Sequence, residues 1–302
     1  MAEPATESAS VPREPKMYEI LHTRRLTPVT KLFEVTAPLV AKAARPGQFV
    51  ILRVHDHGER IPVTITDSDA EAGTVTVVIQ EVGATSKMAN ELGDGDRFQD
   101  LAGPLGEAAP LREMGHVVCV GGGFGAAAIL SILKGLKPKA TKTSAIVGAR
   151  TSDLVILEDR LREASDAVHI CTDDGTAGFK GFVTQKLEEL IKSGDTVDEI
   201  IAIGPMVMMR AVAATTAPYG ISTLVSLDPI MIDGTGMCGA CRVTVAGETK
   251  FACIDGPLFD AAQIDFDELV RRNKSYREEE AAALHRYEEA HCRAEAAAAA
   301  QA

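Results

Sequence analysis

One aspartate and three cysteines in a short glycine-rich segment form the group of residues best suited to chemistry. Asp233, Cys238, Cys241 and Cys253 have the spacing D-x4-C-x2-C-x11-C. Cysteine thiolates hold iron–sulfur clusters, and the plant-type [2Fe–2S] loop uses C-x4-C-x2-C followed by a distant fourth cysteine. Glycines between these residues let the backbone turn tightly around an inorganic core. The spacing therefore predicts a [2Fe–2S] site in which an Asp233 oxygen replaces the first thiolate.

Two other interpretations of this segment remain open at the level of sequence. Three cysteines and one carboxylate also suffice for a tetrahedral zinc site. Three buried free thiols would need no metal, but the C-x-x-C pair lies among glycines instead of within a strand-like run. The x4 spacing and the glycines favour the cluster over both alternatives.

A second candidate site is the glycine turn VGGGFGAAA, which directly follows an apolar run and precedes a helical pattern. A glycine turn that opens a helix lets backbone N–H groups approach a pyrophosphate closely. A tight packing turn is the alternative. A matching turn, Gly204-Pro205, ends a later strand-like run, and we expect both turns at the carboxyl edge of one sheet. The glycines of the first turn are Gly121, Gly122, Gly123 and Gly125.

A third candidate is the segment RIPVTI, which begins at Arg60. Alternation along a strand places Arg60 and Thr64 on the same face. A guanidinium there can clamp phosphate, and the hydroxyl can form a hydrogen bond to a bound ring. An exposed arginine on a strand is otherwise an ordinary solvated residue.

The patterning divides the chain into parts that would position these residues. We expect a disordered lead-in over 1–16, a β-barrel over 17–110 and a doubly wound α/β domain over 111–227. The barrel is indicated by runs such as TKLFEVTA and GTVTVVIQ, and the α/β domain by HVVCV and later strands alternating with helical patterns such as LVILEDRLREA. Residues 228–264 form the small cysteine-loop domain, and residues 265–302 form a helical, charged tail.

Composition excludes several classes of function. The 302 residues are 46% hydrophobic, and the formal net charge is −12, which disfavours a nucleic-acid-binding protein. No run reads as a membrane span, and the N-terminal residues lack the apolar region of a signal peptide. The expected location is therefore the cytoplasm.

The barrel, the GGG turn and the cysteine loop, in this order, resemble the ferredoxin reductase superfamily. Within it, the chain is similar to the branch that holds the electron-transfer subunit of dihydroorotate dehydrogenase and the small subunit of NADH-dependent reduced ferredoxin:NADP oxidoreductase. The segments that carry this resemblance are RIPVT, VGGGFG, TDDGTAGFKGFVT, IGPMVMMRAV and DPIMIDGTGMCGACRV. The dihydroorotate branch is expected to carry cysteine where Asp233 stands. An aspartate there points to the second member.

The resemblance implies roles for individual residues. Arg60 would clamp the FAD pyrophosphate and Thr64 would lie near the flavin ring, whereas Pro62 replaces an aromatic ring of the wider superfamily. The two glycine turns match the nicotinamide nucleotide site. Arg150 lies where the adenosine ribose is read; an arginine suits a 2′-phosphate, but the resemblance favours NAD. The second flavin phosphate loop matches Gly83 to Ser86 and includes Gly83, Thr85 and Ser86.

The function implied is electron transfer between NAD(H), FAD and a [2Fe–2S] cluster. The expected partner is a larger flavoprotein with [4Fe–4S] clusters, which exchanges electrons with ferredoxin and bifurcates them. Service to dihydroorotate dehydrogenase, or action as a sulfide or polysulfide reductase, remain alternatives within the same fold. A zinc-stabilised nucleotide-binding scaffold without redox activity is the alternative from another class.

Overall fold

The chain forms an antiparallel barrel followed by a mostly parallel α/β sheet. This computed structural model describes residues 16–56 and 58–299. The lead-in predicted for residues 1–16 lies, apart from Lys16, outside the described residues. No helix among the described residues is long and apolar enough to span a membrane.

The barrel has six strands in the order β1-β2-β5-β4-β3-β6, all antiparallel. The segment before β6 closes it against the start of β1, since Ile20 N–H donates to Asp96 O (2.8 Å) and Phe98 N–H donates to Tyr18 O (3.1 Å). Its core includes an edge-to-face contact between Phe33 and Phe98. The elements are β1 (Ile20–Thr27), β2 (Thr30–Thr36), α1 (Pro38–Ala43), β3 (Phe49–Arg53), β4 (Arg60–Asp69), β5 (Thr74–Gln80), α2 (Ala84–Glu91) and β6 (Asp100–Leu105).

The second domain is built on a seven-stranded sheet, β10-β9-β8-β7-β11-β12-β15, in which only β15 (Leu258–Asp260) runs antiparallel. Its elements are β7 (Met114–Gly122), α3 (Gly125–Leu136), β8 (Ala140–Ala149), α4 (Glu158–Ala164), β9 (Ala167–Thr172), β10 (Phe179–Lys180), α5 (Val183–Lys192), β11 (Glu199–Ile203), α6 (Met206–Thr216) and β12 (Ser222–Ser226). The predicted doubly wound sheet is confirmed. One predicted helix is shorter than expected: residues 154–157 stay outside α4 because Leu157 has a left-handed backbone, φ 57°.

Strand β7 shows why this sheet needs helices on both faces. Val118 and Val120 belong to the core shared with α5 and α6, whereas Val117 and Cys119 belong to the core shared with α3 and α4. An uninterrupted apolar run is therefore the correct sequence for this strand. The chain crosses to the other side of β7 when it enters β11, so the switch point of the sheet lies between these two strands.

The C-terminal segment packs on both larger domains. A two-stranded hairpin follows the cysteine loop, and the last strand joins the parallel sheet by pairing with β12. The division of the chain at residues 227 and 264 stays a prediction. The elements are β13 (Arg242–Val245), β14 (Glu248–Phe251), β15 (Leu258–Asp260), α7 (Phe266–Arg272) and α8 (Arg277–Ala299).

Candidate functional site

Strand β4 presents Arg60, Pro62 and Thr64 on its outward face, while Val63 and Ile65 point into the barrel core. The strand alternates because β-branched residues fill every second position on the buried side. The side chain of Arg60 makes no hydrogen bond or ion pair with any described residue. Its guanidinium is therefore available to an anion.

The predicted second phosphate loop lies at the N-terminus of α2. Gly83 occupies the position before the helix, and the buried Ser86 hydroxyl accepts the N–H groups of Val82 and Gly83, both at 2.9 Å. Thr85 Oγ1 donates to Glu59 Oε2 at 3.3 Å, which holds this helix end beside the start of β4. The structure thus brings Arg60 and the loop Gly83 to Ser86 to the same end of the barrel.

The two predicted glycine turns meet at the switch point of the parallel sheet. Gly121 and Ile203 are partners in the β7–β11 register, so Gly122 and Gly204 follow side by side. A Cβ on Gly204 would lie 3.0 Å from the N and Cα of Gly122. Pro205 forms the other wall, because a Cβ on Gly122 would lie 3.0 Å from Pro205 Cδ.

The glycines of the first turn have different physical reasons for being glycine. A Cβ on Gly125 would lie 2.0 Å from Ile203 O, and one on Gly121 would lie 2.9 Å from Ala126 Cα. These two glycines allow α3 to pack closely against β7 and β11. Gly123 differs, since it has φ 54° and no atom within 4 Å of the Cβ position. Gly123 therefore faces the open crevice where a nucleotide would approach.

Two further polar residues follow the carboxyl ends of strands in the parallel sheet. Arg150 is exposed and directly follows β8. Asp228, which the sequence indicated only as part of a longer motif, lies two residues beyond β12. Desolvation by surrounding protein atoms raises the pKa of Asp228 to about 6. Its place just after β12 puts it at the carboxyl edge of the sheet, where ligands bind in such folds.

The cysteine loop brings its four candidate ligands together in two pairs. Cys241 Sγ lies 3.1 Å from Cys253 Sγ, and both residues are buried. Cys238 is exposed, and its backbone N–H donates to the Asp233 carboxylate at 2.9 Å. Gly234, Gly236 and Gly239 have positive φ angles, which allow the tight turns that shape the loop.

Two of these candidate ligands have shifted pKa values. Burial, followed by the contact with the Cys241 thiol, raises the pKa of the Cys253 thiol. The backbone N–H of Thr235 lowers the pKa of Asp233, which is therefore anionic at neutral pH. A bound metal deprotonates coordinating thiols outright. Three thiols and one carboxylate on one glycine-rich loop match the donor chemistry of an iron–sulfur site.

Among the described ranges, no group of three or more His, Cys, Asp or Glu side chains is arranged to hold a metal ion. The two pairs of candidate ligands are instead joined through the loop backbone.

The cysteine loop packs directly on the barrel. A Cβ on Gly234 would lie 2.6 Å from Leu105 Cδ1 and 2.9 Å from Ile51 Cγ1. Ile51 on β3 is in turn the register partner of Pro62 on β4. The loop that carries the cysteines and the strand that carries the predicted flavin residues are therefore separated by one strand pairing.

Comparison with known proteins agrees with this architecture. The family described as "Iron-sulfur cluster binding domain of dihydroorotate dehydrogenase B" matches residues 228–265. A dihydroorotate dehydrogenase B (NAD(+)), electron transfer subunit homolog from Thermotoga maritima is 44% identical over 255 residues, which are 84% of this chain and 90% of that protein.

Solved structures show the same fold. One is the structure of an NADH-dependent reduced ferredoxin-NADP oxidoreductase, described for its flavin-based electron bifurcation. It is 40% identical and has a TM-score of 0.86, and the match covers 91% of this chain and 99% of that chain. A ferredoxin NADP+ reductase from Neisseria gonorrhoeae with bound FAD and NADP is 20% identical, with a TM-score of 0.54 over 67% of this chain and 90% of its own, and supports the fold alone.

The barrel followed by the doubly wound sheet defines a ferredoxin reductase-like protein, as the motifs predicted. The chain belongs to the family of dihydroorotate dehydrogenase B electron transfer subunits and their homologues.

Proposed function

We propose that this chain is the electron-transfer flavoprotein subunit of a larger oxidoreductase and uses FAD, a [2Fe–2S] cluster and NAD(H). With both groups bound, two-electron hydride exchange with the nicotinamide is converted into one-electron transfer. The packing of Gly234 against Ile51, the partner of Pro62, carries this proposal, because it joins the cluster loop to the flavin strand.

Three groups of residues bind FAD, the nicotinamide nucleotide and the cluster in this proposal. Arg60 neutralises the FAD pyrophosphate, and backbone N–H groups at Thr85 and Ser86, in the first turn of α2, complete the phosphate site. Gly122 and Gly123 admit the nicotinamide nucleotide to the switch-point crevice. Asp233 and the three cysteines hold the cluster, with Cys238 on the exposed side of the loop.

The partner in this proposal is a larger flavoprotein with [4Fe–4S] clusters that exchanges electrons with ferredoxin, and the complex works in the cytoplasm. The 40% identical NADH-dependent reduced ferredoxin-NADP oxidoreductase supports this choice, since the match covers 91% of the chain. Asp233 supports it as well, since the dihydroorotate branch is expected to carry cysteine there.

Service to a dihydroorotate dehydrogenase is the second candidate, and the name of the Thermotoga maritima relative favours it. The two candidates differ in the partner. Affinity purification of the chain from its own host, followed by mass spectrometry, separates them: a larger iron–sulfur flavoprotein supports the first, and a pyrimidine enzyme supports the second.

An absorption spectrum of the purified full chain, combined with metal analysis, tests the electron-transfer proposal. We expect flavin bands with a cluster shoulder, bound iron, and bleaching of the flavin band by NADH under anaerobic conditions. Bound zinc with no flavin absorption would overturn the proposal and support the redox-inactive scaffold.

A further inference from the structure

The C-terminal helix α8 belongs to none of the three groups of residues described above, yet it does not extend freely into solvent. It crosses to the barrel and packs against α2, the helix whose first residues form the predicted FAD phosphate loop. The sequence of this segment, which is rich in charged residues and alanine, does not by itself indicate this contact.

Three polar contacts join the two helices. Lys87 Nζ donates to the Glu288 carboxylate, and the Tyr287 hydroxyl donates to Glu91. His291 Nδ1 lies 3.8 Å from Glu91 Oε1. Lys87 and Glu91 are four residues apart on α2, so they present one face of that helix to α8.

The residues of α8 that make this contact follow helical spacing. Leu284 and Tyr287 are half-buried, and Glu288 and His291 continue the same face at intervals of three and four residues. Arg286 lies on the opposite face and is exposed. The helix therefore has a defined docking face.

The end of α7, a few residues before α8 begins, is held by contacts near the cysteine loop. The Arg272 guanidinium donates to Ala240 O at 3.1 Å, and Asn273 Nδ2 donates to Asp228 O at 3.1 Å. Ala240 lies between Cys238 and Cys241. The segment 272–291 thus runs from the cysteine loop to the flavin phosphate helix.

Helix α2 has only eight residues, and the residue before it, Gly83, has no side chain with which to cap the N–H groups of the first turn. Helices this short are marginal on their own, so their order depends on packing. A ligand site formed at the first turn of such a helix binds more tightly when the helix is held in its bound conformation.

We propose that α8 is a strap that holds α2 in place and thereby strengthens FAD binding at Gly83 to Ser86, with Glu288 and Tyr287 as positioning residues. This inference rests on the proposed FAD site. Neither residue needs to touch the flavin, since both act through side chains of α2 that follow the phosphate loop, Lys87 and Glu91.

The test is the FAD dissociation constant of the full-length chain, measured by the recovery of free-flavin fluorescence on dilution. In Glu288→Lys, repulsion from Lys87 should raise that constant about two- to five-fold, the range that an exposed ion pair supports. Tyr287→Phe should raise it in the same direction. The double variant Lys87→Glu/Glu288→Lys restores the ion pair with reversed charges. It should therefore bind FAD more tightly than Glu288→Lys alone.

Glu289→Lys is the matched control, because it makes the same charge change one residue away, off the docking face, and should leave the constant unchanged. Equal FAD affinity in wild type, Glu288→Lys and Tyr287→Phe would overturn the strap while leaving the flavin assignment intact. Weaker FAD binding in Glu288→Lys and Tyr287→Phe, without tighter binding in the double variant than in Glu288→Lys, would also overturn the strap. A wild-type chain with no affinity for FAD would overturn the proposed function and the strap together.

Discussion

The Asp233 carboxylate accepts the backbone N–H of Cys238 at 2.9 Å and that of Thr235 at 2.8 Å. The residue predicted as the fourth cluster ligand therefore also shapes the loop that carries the first cysteine. A carboxylate has enough lone pairs to accept hydrogen bonds and to donate one oxygen to a metal. The two roles make different predictions for substitutions.

Asp233→Cys should still assemble a [2Fe–2S] cluster, because a thiolate keeps the single negative charge of the carboxylate. Its reduction potential and electron paramagnetic resonance signal should shift, since sulfur is a softer ligand than oxygen. The measurement is the resonance spectrum of the reduced protein beside that of wild type.

Asp233→Asn provides a comparison that removes the charge, because its single side-chain oxygen can still accept the Thr235 N–H, whereas its amide nitrogen cannot accept the Cys238 N–H. If Asp233 is a ligand, the asparagine variant should contain less iron than the cysteine variant. An unchanged resonance spectrum in Asp233→Cys would show instead that Asp233 is only a turn residue.

Gly123→Asn should weaken NADH binding roughly tenfold or more, a loss of about 1.4 kcal/mol. The Cβ position at Gly123 is open and has φ 54°, a conformation that asparagine tolerates, so the fold should persist while the side chain obstructs the crevice. Stopped-flow bleaching of the flavin band over a range of NADH concentrations measures the effect. Bleaching identical to wild type would contradict the nucleotide assignment.

Gly125→Ala should instead destabilise the protein before it affects binding specifically. Its Cβ would lie 2.0 Å from Ile203 O, a backbone atom that cannot move without displacing β11. We expect a lower midpoint of thermal unfolding than for Gly123→Asn. The opposite order of midpoints would show that the turn relaxes more easily than its packing indicates.

Local patterns predicted the strands that bury apolar residues, but not the contacts that join distant segments. HVVCV identified β7 because both of its faces enter a core. The pairing of β15 with β12 could not be predicted in this way, because Leu258–Asp260 is three residues long and is held by its partner strand. The docking of α8 on α2 likewise depends on polar pairs between residues about 200 positions apart.

The candidate site likewise combines residues that local patterns predicted with contacts between distant segments that they did not. Residue type and spacing predicted the glycine turns, and the sheet order brings them together at the switch point. The packing of Gly234 on Ile51 had no signal in sequence, since any apolar strand residue would satisfy the pattern at Ile51. Positions that depend on the approach of two domains required the structure.

Arg60→Ala should lose FAD while the barrel stays folded. Arg60 is exposed and makes no contact with the described side chains that would stabilise the protein, so its substitution should shift the unfolding free energy by less than about 0.5 kcal/mol. Flavin content per chain after purification is the measurement. Arg24→Ala, an exposed arginine on β1, is the control and should retain flavin. Stoichiometric FAD in Arg60→Ala would contradict the pyrophosphate assignment.

Acid pH should destabilise the protein through His116, which lies at the sheet edge opposite the nucleotide crevice. Its ring is buried, Nε2 lies 2.8 Å from Ser144 Oγ, and Nδ1 has no hydrogen-bond partner among the described residues. Burial, followed by the charge of Lys142, lowers the pKa of His116 below the ordinary value of 6.5. The unfolded chain therefore binds a proton first as the pH falls, and stability decreases from about pH 6.5 down to the lowered pKa.

His116→Gln removes this titration while keeping an amide that can reach Ser144. The free energy of unfolding of wild type minus that of the variant should be constant above pH 7.5 and should fall with pH below 6.5. The slope can reach about 1.4 kcal/mol per pH unit, the value for one proton. Denaturant unfolding at several pH values measures it. Parallel stability curves for the two proteins would show that the His116 ring takes up a proton equally well in the folded and unfolded chain, which its burial beside Lys142 opposes.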